Sequence, residues 1–312
     1  MAPQRALLAD GRLHLNHGPI DLVIEAFGPA GEVGRAYDQA WARFPDVLPT
    51  LTRELILLRR PIQGARPCFN GPVARRMAEA VWPYRAKFIT PMAAVAGSVA
   101  DEMLAALIEG RALRKAYVND GGDIALHLMP GEKFTAGIVG DLSAPAIDGR
   151  AEITADSAVR GIATSGRAGR SFSLGIADAV TVLARTAAQA DAAATMIASA
   201  VNVDDRAVVR QPASSLDPDS DLGDRPVTVA VGPLDPEAIG RALDAGEGEA
   251  QRLTHAGLIL AAMLQLRGAK RIVTADGNSD SQISFDGGGN LPRGRSTSRP
   301  RASARRTAGR DP

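Results

Sequence analysis

Asp191, Thr195 and Ser199 follow one another at intervals of four residues in the run AAQADAAATMIASA, which is otherwise almost entirely small or apolar. On a helix this spacing puts the three side chains in a single stripe. A carboxylate and a hydroxyl one turn apart, with little bulk beside them, suit a hard cation such as Mg2+, which keeps several waters and takes substrate phosphate oxygens as further ligands. Two oxygen side chains do not complete an octahedral shell, and the same pair also suits a solvated helix face. The chemistry therefore depends on what other elements bring to the stripe.

Those elements are partly legible. Thr186 and Gln189 form an S/T-x-x-E/Q capping box, which predicts that the helix carrying the stripe starts at Ala187. Upstream, Thr164-Ser165-Gly166 reads as a tight polar turn and residues 176–183 as a β-rich run. Residues 114–128, RKAYVNDGGDIALHL, read as a hairpin closed by Asn119-Asp120-Gly121-Gly122, with Asp-Gly as the type I′ pair. Its glycines serve turn geometry, or leave backbone amides open to a flat ring or a phosphate. In residues 88–110 Pro91 opens a long helix of small residues and Gly110 closes it. Asp101 in its middle is solvent-facing or aimed at a site, and Glu102 and Glu109 are expected to face solvent.

The remaining chain reads as further strands and helices. Residues 12–27 alternate on both sides of His17-Gly18-Pro19, as two strands do. Residues 32–44 and 71–84 have helical character, and 134–139, 151–154, 160–163, 226–231 and 271–274 read as short strands. Residues 235–266 are expected to be helical, broken near 246–248. Asp217, Asp219 and Asp221 mimic a calcium loop, but Leu222 stands where glycine is needed and Thr228 where glutamate is. His14 and His17 read as a strand-face and a turn residue with no partner carboxylate nearby in sequence. Cys68 reads as a buried or loop thiol.

Composition limits the function classes. The 312 residues are 45% hydrophobic and only 4% aromatic, so aliphatic side chains and alanine must fill the core. One cysteine permits neither an intramolecular disulfide nor a cysteine metal cage. Residues 277–312 hold seven arginines and three aspartates, a net of +4 within a whole-chain charge of +1. The rest is mildly acidic, which argues against nucleic-acid binding by the folded part. We expect one domain over residues 1–276 and a disordered Gly/Ser/Arg-rich tail over 277–312. Residues 1–11 lack the apolar segment of an export signal, and the apolar run 256–266 is far shorter than a membrane span. A cytoplasmic location with no membrane partner is the expectation.

The order of these motifs resembles the ApbE family, the FAD:protein FMN transferases, and most closely its shorter, uncharacterised branch. The likeness runs over residues 88–201: a glycine-containing helix ending in Ala-Asp, then YVNDGGDI, GIATSG, AVTVLA and ADAAAT. It implies an α+β fold of mixed sheets with packed helices, related to the T-fold, with a flavin-nucleotide site between its halves. It implies FAD and Mg2+ as cofactors, Asp191 and Thr195 as the metal-binding D-x-x-x-T pair, and a backbone carbonyl near residues 95–98 as a further ligand. Asp101, Gly121, Gly122, Asp123, Thr164, Ser165 and Gly166 match positions beside the nucleotide. Two departures stand out. The family lysine of A-K-G-Y is Ala96 here, and the H-x-I-D-P-x-T-G motif is replaced by residues 171–178, SFSLGIAD. Asp178 is then the candidate base, and Arg167 or Arg170 the candidate phosphate partner. The expected activity is Mg2+-dependent FMN transfer to an acceptor protein or FAD hydrolysis. The alternative is a flavin-binding module that serves a partner enzyme without turnover.

Overall fold

The computed structural model describes residues 2–138, 149–169 and 171–274. Its first half builds strands β1 (Gln4–Leu7), β2 (Leu13–His17), β3 (Ile20–Phe27), β4 (Lys115–Asp120) and β5 (Asp123–Leu128). Between β3 and β4 lie helices α1 (Ala30–Arg43), α2 (Val47–Arg53), α3 (Leu55–Leu58), α4 (Pro72–Val81) and α5 (Val95–Ile108). A hairpin of β6 (Lys133–Ile138) and β7 (Gly149–Thr154) follows, then β8 (Gly161–Ser165), β9 (Ala179–Ala184) and α6 (Ala187–Ala200). The chain ends in a small hairpin of β10 (Val208–Pro212) and β11 (Pro226–Val231) enclosing α7 (Ala213–Leu216), and then α8 (Pro236–His255), β12 (Ala261–Leu266) and β13 (Ala269–Thr274).

Nine strands form one antiparallel sheet in the order β1-β2-β3-β4-β5-β8-β9-β12-β13. Its two halves meet between β5 and β8, where only Ile124↔Ile162 and Ala125↔Gly161 are in register. Strand alternation divides the side chains between two layers. Ala116 and Val118 of β4 and Val180 and Val182 of β9 face the helical layer. Leu126, Leu183 and Met263 point the other way, against the β6–β7 hairpin. The fold class is α+β.

Helix α6 sits in the middle of the helical layer, against α5, α8, β8 and β9. Ala192, Ala193, Ala194 and Ile197 are fully buried. Alanine keeps the helix thin, and three glycines let other backbones reach it. A Cβ on Gly97 of α5 would lie 2.3 Å from the Ala187 carbonyl oxygen, one on Gly161 of β8 2.1 Å from the Thr186 carbonyl, and one on Gly175 2.0 Å from the Ala198 carbonyl oxygen. Main chain therefore rests on main chain at both ends of the helix. The apolar run Pro91–Ile108 has a mean hydropathy of 1.4 over 18 residues, long and apolar enough to cross a membrane. Here it forms a 3-10 turn and α5, half buried against α6 and its neighbours.

Several expectations need correction. Residues 235–266 are one unbroken helix followed by a strand. Helix α8 runs through Gly246 and Gly248 and stops at Gly257, whose φ is +68°. The amide of Leu258 donates to the Leu253 carbonyl at 3.0 Å and that of Gly257 to Thr254 at 2.9 Å, which is a Schellman cap. The apolar run beyond it is β12, buried on both faces; hydrophobicity alone does not separate such a strand from a buried helix. Thr164 and Ser165 belong to β8, and the chain turns only at Gly166. The β4–β5 turn is centred on Gly121-Gly122, with φ of +63° and +114°, one step past the Asp-Gly pair. Glu102 is not solvated: its side chain is 12% exposed and bridges Arg43 and Arg76. His14 has a partner after all, Asp21 at 3.0 Å across the β2–β3 pair. Strands β1 and β10 had no reading in the sequence. The tail beyond residue 276 lies outside the described residues.

The two glycines of α8 differ in their surroundings. A Cβ at Gly246 would meet Val201 Cγ2 at 2.3 Å and Leu264 Cδ2 at 2.8 Å, whereas at exposed Gly248 nothing lies within 4 Å. In chemical denaturation Gly248→Ala is expected to stabilise the protein by about 1 kcal/mol through helix propensity. Gly246→Ala is expected to destabilise it by about 1–3 kcal/mol through overpacking.

Candidate functional site

A cleft of about 730 Å³ opens where the β4–β5 turn, the end of β8, the start of β9 and the open stripe of α6 converge. Its position follows from the register. Asp120 and Asp123 pair across the Gly121-Gly122 turn, and Thr164 of β8 pairs with Thr181 of β9, so four strand ends present polar residues together. Asn119 Oδ1 accepts the Gly122 amide at 2.8 Å and fixes the turn. Asp123 Oδ1 accepts the Thr164 amide at 3.3 Å, tying the turn to β8. The Thr164 and Thr181 hydroxyls lie 2.9 Å apart.

Asp191 and Thr195 both line this cleft, together with residues 121–123 and 164–166. Ser199 lines a smaller apolar annex of about 270 Å³, and Thr195 borders both spaces. Asp191 accepts the Gly97 amide through Oδ2 at 3.0 Å. Gly97 is the third residue of α5, so this is one of the amides that a helix start leaves unpaired. Asp191 keeps a little surface open to the cleft, yet its carboxyl lies deep enough for burial to hold its pKa well above the usual carboxylate range. The charge of Asp123 pushes the same way, the Gly97 amide opposes it, and Asp120 adds to the rise. Two neighbouring buried carboxyl groups disfavour a second charge, so such a pair retains a proton or takes up a cation.

The start of α6 is held by more than its capping box. Thr186 Oγ1 accepts the Gln189 amide at 3.2 Å. The reciprocal half of the box is not made, and the buried Gln189 Oε1 has no hydrogen-bond partner. Asp101 of α5 supplies what the box lacks: its two carboxylate oxygens accept the Ala187 and Ala188 amides at 3.0 and 2.9 Å. Burial raises the pKa of Asp101, and these two amides oppose the rise. Asp101 is not among the residues that line the cleft; its carboxylate is turned to the start of α6.

Asp178 lines the cleft, but its oxygens are occupied. Oδ1 accepts from Arg167 Nε at 3.0 Å and Nη2 at 2.7 Å, and Oδ2 accepts the Arg267 amide. A carboxylate holding three donors is a clamp joining β8, β9 and the β12–β13 turn. Arg167 is engaged with Asp178 and does not line the cleft; Arg170 lies outside the described residues.

Sequence reasoning missed other parts of the lining. Thr181 was hidden because only strand pairing brings it to the cleft, and Asp120 was read only as a turn residue. Asp217, Asp219 and Asp221 form its rim, and Asp221 accepts a hydrogen bond from the Thr90 hydroxyl. Arg59, at the end of α3, is the one cation among the described lining residues, against seven aspartates. It lies 3.8 Å from Asp219. Among the described residues no three His, Cys, Asp or Glu side chains converge as a metal-ligand set. A cation here needs the Thr195 hydroxyl, main chain, water or ligand oxygens.

The chain belongs to the family described as AbpE bacteria, whose profile matches residues 5–272. It is 36% identical to a UPF0280 protein of Methanothrix thermoacetophila over 153 residues, 49% of this chain and 61% of that one. With a UPF0280 protein of Methanothermobacter thermautotrophicus the identity is 37% over 142 residues, 43% of this chain and 50% of that one. The chain thus spans little more than half the length of these relatives. Among solved structures, the ApbE protein of Thermotoga maritima aligns with 88% of this chain and 96% of its own, at 12% identity and a TM-score of 0.44. The Pseudomonas stutzeri flavinyl transferase ApbE aligns with 88% and 94%, at 11% identity and a TM-score of 0.41.

The raised pKa of Asp191 has a stability consequence. A carboxyl whose folded pKa exceeds its unfolded value costs nothing at low pH, and its cost grows as pH rises from the unfolded pKa through the folded one. Asn at this position still accepts the Gly97 amide and carries no charge. In EDTA, Asp191→Asn is therefore expected to melt above wild type at pH 7, with the advantage vanishing towards pH 4. A variant that melts below wild type at every pH would show that Asp191 is not carrying a suppressed charge.

Proposed function

We propose that the cleft binds a flavin dinucleotide, FAD, as its complex with a divalent cation, in the first place Mg2+. The observation that carries this reading is the meeting of Asp191 and Thr195 with the Gly121-Gly122 turn and the end of β8 in one cleft. The flavin part rests on family membership and on the order of sequence motifs.

The donor set fits a hard cation. Asp191 has one oxygen on Gly97 and a buried carboxyl neighbour, a concentration of negative charge that a divalent ion relieves. Asp191 and Thr195 would hold the ion, with a main-chain oxygen near Ala96, which also lines the cleft. Mg2+, when bound, neutralises charge on the pyrophosphate. Without it, the aspartate-rich cleft would repel a bare dinucleotide, so binding is metal-dependent. Arg59 exchanges its long contact with Asp219 for a phosphate oxygen, a pairing suited to a guanidinium. The Gly121-Gly122 turn, free of side chains, lets the flavin ring lie against the main chain.

In the turnover reading, a hydroxyl of an acceptor protein or of water attacks the flavin-side phosphorus and AMP leaves. That step needs a proton acceptor, and Asp178 has its oxygens filled by Arg167 and Arg267. This favours binding without rapid turnover.

Calorimetric titration of FAD, ADP and AMP with Mg2+ and with EDTA tests the reading. FAD and ADP are expected to bind in Mg2+ and to weaken at least about tenfold, or about 1.4 kcal/mol, in EDTA or in Asp191→Ala. Arg59→Ala is expected to weaken ADP more than a free flavin. Equal affinities in all these conditions would overturn the proposal. Chromatography for AMP after incubation with FAD separates binding from hydrolysis or transfer.

A further inference from the structure

Helices α5 and α6 exchange carboxylates. Asp101, on α5, accepts the first two amides of α6, Ala187 and Ala188. Asp191, on α6, accepts the amide of Gly97 in the first turn of α5. Gly97 and Asp101 are one turn apart on α5, and Ala187 and Asp191 are one turn apart on α6, so the two bonds are successive rungs between antiparallel helices. Each carboxylate satisfies amides that a helix start leaves open, and each lies at the positive end of the other helix's dipole. Neither start has another complete side-chain cap. Ala94 gives α5 none, and the Thr186–Gln189 box of α6 is half made.

The rungs differ in what lies beyond them. The Asp101 rung lies one turn behind the cleft lining, whereas the Asp191 rung forms the cleft wall. Gly97 makes the ladder short, because its missing side chain lets α5 approach the Ala187 carbonyl. With the main chains in contact, α6 cannot slide along α5 while Asp101 grips Ala187 and Ala188. The rung one turn away then has a fixed geometry, with Asp191 Oδ2 held on the Gly97 amide.

We propose that Asp101 is a positioning residue for the cleft: by seating the start of α6 it sets the place of Asp191 and Thr195, and so the affinity of the site for a divalent cation and its nucleotide. The inference rests on the metal–nucleotide reading of the cleft. It assigns Asp101 no contact with the ligand. Asp101→Asn retains one acceptor and loses the second together with the charge. The loss is felt along the α6 axis, where Thr195 lies two turns from the capped end.

The test uses Mn2+ and Mn2+ with ADP as probes, followed by electron paramagnetic resonance and calorimetry well below each variant's melting temperature. Glu102→Gln is the control. It breaks the partly buried pairs with Arg43 and Arg76 beside Asp101 but touches no amide of α6. Asp101→Asn is expected to weaken Mn2+·ADP binding about tenfold, while Glu102→Gln lowers the melting temperature and leaves that affinity within twofold of wild type. Equal affinities in wild type and Asp101→Asn, or equal losses in both variants, would overturn the inference. If wild type itself binds neither probe, it is the metal–nucleotide reading that fails. Should Asp101→Asn not fold, hydrogen exchange of the wild type decides. Mn2+·ADP is expected to slow exchange at Ala187 and Ala188, which it does not touch, and unchanged exchange there on saturation would refute the coupling.

Discussion

The structure depends on close approach of main chains around α6. Gly97, Gly161 and Gly175 bring α5, β8 and the loop before β9 to within a Cβ's reach of its carbonyls. Interiors are packed to crystal-like density, so a helix gripped in this way has almost no freedom to translate. Its alanines make the grip possible, because a larger residue at any of them would hold the partners off. The low aromatic content, 4% of the chain, is the counterpart of this construction.

The same grip explains why a polar stripe exists on a helix that is otherwise enclosed. Where neighbours are this near, a polar side chain has either a fixed partner or an opening. Asp191 has both, a main-chain amide on one side and the cleft on the other. The carboxyl groups of Asp120 and Asp123 reach the same place through strand pairing. The charge is concentrated there by the topology, and no short sequence motif contains it.

Local chemistry was readable in the sequence and long-range pairing was not. The helix start at Ala187, the two strands around Gly18 and the β4–β5 hairpin were each marked by capping or turn residues. The spacing of Asp191 and Thr195 fixed their common face, and the cleft does lie on that face. Asp101 was recognised as unusual within an apolar helix, but its role as a cap depends on a helix start 86 residues away. Asp178 drew attention through its place in a replaced motif, and its three donors come from Arg167 and from a turn far along the chain. The break expected in α8 failed because Gly246 is there to admit Val201, a reason seen only from the partner's side. The strand after Gly257 was taken for helix because a strand covered on both faces has lost the alternation that identifies it.

Strand order also has a consequence for synthesis on the ribosome. Strand β9, buried at every position, is covered on one edge by β12, which emerges only after α6, the β10–β11 hairpin and α8 have been made. Until then the nascent chain carries an apolar strand, AVTVLA, with an open row of hydrogen-bonding groups. Such an edge recruits other strands when domains are incomplete. A chaperone's demand on this protein is concentrated in that interval, and truncation before residue 261 leaves the hazard permanent.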